Sequence, residues 1–212
     1  VVLAEGKRTH DLLAIVQALR TAHRGALISR ATASQRQALF AWAHREGFEL
    51  RGSADGRILK LPGPLGPLPG PGTVALVTAG TADVPVAEEA EFVLHAMGVP
   101  TVVAHDVGVA GLHRLLRAVR RLERRRPILY LAFAGREGAL PTVLAGLVRA
   151  PVVGVPTSVG YGRGGRGVGA LTAMLQSCAP VAVVNVDGGV PAALFALQLL
   201  AGASRGVVGT RA

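Results

Sequence analysis

The stretch "TVALVTAGTADVPVAEEAEFVLHAMGVPTVVAHD", residues 73–106, decides the fold. It opens with the apolar run "TVALVT" and closes on "TVVAHD", each of strand length, and a helical stretch begins between them near Asp83. Strand, helix and strand at this spacing form a crossover unit, in which the two strands lie parallel.

The same alternation continues outward. "ILYLAF" (128–133), "VVGVPT" (152–157) and "VAVVNV" (181–186) read as three more buried strands, with helices starting near Val109, Glu137, Gly167 and Gly189. Five strands with crossover helices imply an α/β fold with a doubly wound parallel sheet over residues 73–212. The Pro/Gly run "PGPLGPLPGPG", residues 62–72, precludes helix and central strand and reads as a linker. Residues 1–61 read as a small α+β domain: a helix over 9–23, the strand "ALIS", a helix over 34–47, then "FEL" and "RILKL" as strands around the turn "ADG". Because the sequence begins on Val1 inside ordered-looking chain, a preceding segment is expected.

Composition narrows the class. Of 212 residues, 50% are hydrophobic, only 4% are aromatic and 28 are glycine, so the core is built from small aliphatic side chains and many tight turns. The net charge of +10 comes almost wholly from arginine, Lys7 and Lys60 being the lysines. Its densest run, "HRLLRAVRRLERRRP", reads as a helix with Leu112, Leu115, Leu116, Val119 and Leu122 on one stripe and a solvated arginine face. Without interleaved aromatics this does not read as a nucleic-acid surface. Cys178 is the single cysteine, which excludes an intrachain disulfide and fits a cytoplasmic setting. The uncharged span 167–186 carries Gln176, Ser177, Pro180 and Asn185, so it reads as a buried helix and strand rather than a membrane crossing.

In a doubly wound sheet the loops after the strands converge on one rim, and the unusual polar residues of this half lie in those loops. Gly80, Thr81 and Asp83 stand where a strand feeds a helix; Asp83 either caps that helix or helps cradle an anion. Asp106 and His113 belong to the second loop and Glu137 to the third, where it is either a cap or a general base. Thr157, Ser158, Gly160 and Tyr161 lie in the glycine-rich "PTSVGYGRGGRG", which could wrap a ligand and meet phosphates. Asp187, in "NVDGG", could hold a ribose or a metal ion, or close a turn. Cys178 follows a helix carboxyl end, where the dipole disfavours a thiolate, and on those grounds reads as a buried, inert thiol.

Taken in order, "VTAGTADVPVAEEA", "DVGVAGLHRLL", "AGREGALPTVLAGLV", "PVVGVPTSVGYG" and "MLQSCAPVAVVNVDGG" resemble the LarB family, which makes the first intermediate of the nickel-pincer nucleotide of lactate racemase-type enzymes. The carboxyl half of that family is similar to PurE, the aminoimidazole ribonucleotide carboxylase and mutase, which implies a flavodoxin-like fold. The resemblance further implies carboxylation of the pyridinium ring of nicotinate adenine dinucleotide by CO2 or bicarbonate, and hydrolysis of its phosphoanhydride to AMP. By motif match Cys178 would be the nucleophile and Glu137 the base. Asp83 and His113 would hold the ligand and CO2, and Thr81 with the "PTSVGYG" loop would contact phosphates. No tightly bound cofactor is implied, Mg²⁺ being the one metal the hydrolysis could call on, with no ligand set identified. The partners implied are a small dinucleotide substrate and further copies of the chain in a homo-oligomer, with neither nucleic acid nor membrane. The chain departs from common family residues at Ala82, Arg136 and Gly188.

Overall fold

The computed structural model describes residues 1–53, 56–66 and 70–208, with side chains as far as residue 202. The chain divides into two compact units, Val1–Pro67 and Leu68–Ala212. Ala54 and Asp55 of the turn "ADG", and residues 67–69 of the Pro/Gly run, lie outside the described residues. Residues 62–66 and 70–72 of that run are in neither helix nor strand.

The first unit runs β1 (Val2–Leu3), α1 (Thr9–Thr21), β2 (Ala26–Ser29), α2 (Ala33–Arg45), β3 (Arg51–Gly52) and β4 (Ile58–Leu61), with sheet order β1-β2-β4-β3. Leu12 and Val16 of α1 and Leu39 and Trp42 of α2 pack with Ile28 and Leu59 of the sheet. Thr32 and Gln35 form a reciprocal cap that starts α2. The buried Gln35 amide also donates to Ala4 O and Lys7 O, which ties down the amino-terminal segment. Two expectations change here. Residues 48–50, expected as a strand, instead turn the chain off α2: Phe48 N–H donates to Ala43 O, and its ring meets Trp42 edge-on at 5.0 Å. The strand β1 had no periodic signal, being two residues long and held by parallel pairing with Ile28 and Ser29.

The second unit contains β5 (Val74–Thr78), α3 (Val84–Ala96), β6 (Thr101–Ala104), α4 (Leu112–Glu123), β7 (Leu129–Ala134), α5 (Ala139–Ala145), β8 (Val152–Pro156), α6 (Val168–Leu175), β9 (Val181–Val183) and α7 (Gly189–Val208). Its five strands are all parallel, in the order β6-β5-β7-β8-β9. This is the flavodoxin-like order, with the switch point between β5 and β7. Leu115, Val119 and Leu122 of α4, Leu140 and Leu144 of α5 and Met174 of α6 cover one face of the sheet. On β5, α3 packs beside α7.

The inner strands β5, β7 and β8 are buried throughout, as their unbroken apolar runs require. The outer strands β6 and β9 are mostly part-exposed, since a strand at an edge has a neighbour on one side only. On α4 the buried stripe is narrower than expected, with Leu112 and Leu116 46% and 37% exposed. Among the described residues no helix is long and apolar enough to cross a membrane; α6, expected to be buried, shows one face to solvent, and the span ends on the half-exposed β9.

Candidate active site

A cavity of 570 Å³ lies at the switch point, where the loops after β5, β6 and β7 meet. Gly80, Thr81, Asp83, Asp106 and Glu137 border it, with Val159 from the loop after β8. This is where an open parallel sheet places a ligand, because the crossovers leave in opposite directions and open a crevice.

Asp83 is the rivet of this rim. It is 4% exposed, and its side chain does not cap α3. Oδ2 accepts from Gly80 N–H at 2.8 Å, while Oδ1 accepts from Gly135 N–H at 3.1 Å and from the Thr157 hydroxyl at 2.6 Å. One carboxylate thus joins the loops after β5, β7 and β8, with charge-assisted bonds in a buried setting. Thr157, expected among the phosphate contacts, is fully buried with its hydroxyl spent on Asp83. Gly135 has to be glycine, because a methyl there would lie 2.3 Å from Val159 O.

Four rim loops turn on non-glycine residues in the left-handed region: Asp106 (φ 55°), Arg136 (φ 48°), Arg166 (φ 57°) and Asp187 (φ 55°). Such turns cost about 1–2 kcal/mol each and persist only where the surroundings hold them. At Asp106 the holding contacts are its N–H to Thr78 Oγ1 at 3.2 Å and its carboxylate to Arg114 at 2.5 Å. Asp187 accepts from Ser158 N–H at 2.8 Å and donates its own N–H to Pro156 O, which binds the loop after β9 to the loop after β8. The three aspartates therefore serve three different tasks, and among the described residues no group of three or more His, Cys, Asp or Glu gathers as a metal site.

Glu137 is exposed, just ahead of α5, and borders two cavities at once. The second, of 450 Å³, is bounded by Arg136, Glu137, Tyr161, Gly164, Gly169 and Ala173. Across it the Arg136 guanidinium lies 4.6 Å from the Tyr161 ring centre and donates to the Tyr161 hydroxyl at 3.0 Å. A methyl placed on Gly160 would lie 3.7 Å from Arg136 N, an ordinary contact distance.

Two of the expected site residues lie elsewhere. His113 is exposed on the first turn of α4 and does not border the cavity. Cys178 is exposed, not buried, because it follows the carboxyl end of α6 in the turn that enters β9. Helix α6 begins at the rim, beside Thr157 O and Val186, and its eight residues carry the chain about 12 Å away. Within one chain Cys178 and Glu137 are therefore not brought together. Between their neighbourhoods α5 packs on α6, and Thr142 donates to Ser177 Oγ at 2.9 Å. His105, Arg114 and Gly135 were missed by sequence reasoning. His105 Nδ1 lies 3.3 Å from Thr78 Oγ1, and its place directly after an apolar strand was the available signal.

The profile of the AIR carboxylase family matches residues 73–209. An uncharacterized protein of Methanocaldococcus jannaschii is 49% identical over 126 residues, which are 59% of this chain but 48% of that protein, so the chain spans about half its length. The N5-carboxyaminoimidazole ribonucleotide mutases of Pyrococcus horikoshii and M. jannaschii are each 31% identical, over 133 and 131 residues. Those alignments cover 60% of this chain and 71% and 78% of the two mutases.

Proposed function

The chain belongs to the AIR carboxylase family, and from that premise we propose that it is a LarB-type member, carboxylating the pyridinium ring of nicotinate adenine dinucleotide and releasing AMP. The observation that carries this reading is the exposed Cys178, the single thiol of the chain. Carboxylation of an electron-rich imidazole needs no thiol, whereas a pyridinium ring is electrophilic and cannot attack CO2 unaided. Addition of the Cys178 thiolate to the neighbouring ring carbon forms a C–S bond, breaks aromaticity and leaves an enamine that attacks CO2. Glu137 then takes the proton from the carboxylated carbon, and the C–S electron pair departs with sulfur as aromaticity returns. Water cleaves the phosphoanhydride, giving AMP and pyridinium-3,5-biscarboxylate mononucleotide; a Mg²⁺ ion serving that step would arrive with the diphosphate.

The reading takes Cys178 from a second copy of the chain, since α6 holds it away from Glu137 of its own. Val168 and Leu175, 57% and 67% exposed on α6, offer apolar surface for such a contact. The ring would occupy the switch-point cavity, with Asp83 and Asp187 keeping its walls in place and Thr81 and Ser158 nearest the phosphates.

The test is incubation of the protein with the dinucleotide and bicarbonate, with and without Mg²⁺, followed by mass spectrometry. Release of AMP together with a mononucleotide heavier by one carboxylate supports the reading, and absence of both sinks it. The named mutases favour a second reading, a carboxyaminoimidazole ribonucleotide mutase. Cys178→Ala separates the two, because loss of turnover favours the pyridinium substrate and retained turnover on the imidazole ribonucleotide favours the mutase.

A further inference from the structure

We infer that Arg136 and Tyr161 form a clamp for the adenylate half of a dinucleotide, in the smaller cavity beside Glu137; this rests on the dinucleotide reading above. Two cavities that meet at Arg136 and Glu137 suit a substrate with two nucleotide halves. At 570 and 450 Å³ each is within the range of small-molecule sites, about 300–1,000 Å³.

Charge decides which half goes where. The pyridinium ring is cationic, and the smaller cavity holds the Arg136 guanidinium drawn over Tyr161. Arg136 and Glu137 border both cavities, but the larger one adds the carboxylates of Asp83 and Asp106 to its border, while the Arg136 guanidinium reaches the Tyr161 hydroxyl of the smaller one. A cationic ring therefore favours the larger cavity and a neutral purine the smaller one. Tyr161 is 76% exposed, so a ring face is open for a purine to stack upon. The guanidinium, held by the Tyr161 hydroxyl, keeps further N–H groups for a phosphate, and its planar fork suits that task better than a mobile ammonium. Arg163 and Arg166 are exposed on the same loop and add positive potential. Gly164 and Gly169 also line this cavity, packed so closely that a methyl on Gly169 would lie 3.0 Å from Gly164 Cα and 3.2 Å from Arg136 O. Small residues there leave the width that a flat ring needs.

The test is isothermal titration calorimetry with two probes, AMP and nicotinate mononucleotide, on the wild-type chain and on Arg136→Met, Tyr161→Leu and Tyr161→Phe. Both Arg136 and Tyr161 are exposed, so the fold is retained, and Tyr161→Phe keeps the stacking face. AMP affinity is expected to fall about tenfold or more in Arg136→Met and Tyr161→Leu, with nicotinate mononucleotide changing less than about twofold. Tyr161→Phe should restore most of the AMP affinity. No AMP binding by the wild type, or equal binding by all variants, overturns the clamp. If the dinucleotide is turned over while the variants bind AMP normally, the clamp falls and the proposed function stands. If AMP affinity falls as expected but the dinucleotide is never cleaved, the clamp stands and the proposed function falls.

Discussion

At Asp83 one carboxylate holds three loops, so its removal leaves Gly80 N–H, Gly135 N–H and the Thr157 hydroxyl without their acceptor in a buried place. Asp83→Ala is expected to lower stability by about 3 kcal/mol, and Thr157→Val, which removes one of the three bonds, by about 1 kcal/mol. Urea unfolding of both checks the order, and equal losses would refute the rivet. A titrating group that bears on folding is Tyr130, fully buried and donating to Glu123. Burial first, and the Glu123 carboxylate second, push its pKa far above the ordinary value of 10. A raised phenol pKa means that the folded chain keeps a proton which the unfolded chain loses above about pH 10. Stability is therefore full below that pH and falls by about 1.4 kcal/mol per unit above it. Tyr130→Phe should flatten this alkaline slope in denaturant titrations at pH 9 to 11, a range set by the unfolded phenol; an unchanged slope would assign it to other groups. Neither role was legible in sequence. Asp83 read as a helix cap or a ligand wall because capping is a local pattern, whereas two of its partners lie 52 and 74 residues away.

Elements were legible where burial imposes a long pattern. The inner strands β5, β7 and β8 announce themselves as apolar runs, and the helices after them begin close to where the sequence puts them. What was lost is what tertiary pairing alone decides: the two-residue β1, the shift of a strand from 48–50 to β3, and the exposure of the outer strands. The packing of α5 on α6 supplies a test at this scale. Gly138, at φ +62°, starts α5, and a methyl there would lie 2.7 Å from Ala170 O in α6. Gly146 ends α5 at an ordinary φ of −77°, and a methyl would be 3.5 Å from its nearest neighbour. Gly138→Ala is expected to lose about 2 kcal/mol or more, and Gly146→Ala to change stability by less than about 1 kcal/mol. Thermal unfolding of the pair decides it. If Gly138→Ala were as stable as Gly146→Ala, the close approach of the two helices would be the wrong account of that glycine.

For the whole molecule the question is how Cys178 and Glu137 can serve one reaction. Their proposed roles come from the motif resemblance, but their separation was not legible, because spacing along a chain does not reveal that α6 runs from the rim toward the amino ends of the strands. The proposed chemistry needs a thiolate and a base on the same ring, and one chain does not bring them together. If each site combines Glu137 of one copy with Cys178 of another, two inactive variants should rescue each other. Cys178→Ala still carries the base, and Glu137→Gln still carries the thiol. In a randomly mixed, symmetric assembly a given site draws a sound base with a chance of one half and a sound thiol with the same chance, so about a quarter of the sites are complete. Co-refolding the two variants in equal amounts should therefore restore about a quarter of wild-type AMP release, while either alone gives next to none. Were both groups drawn from one chain, no mixture could contain a complete site, and the co-refolded sample would stay as inactive as its parents.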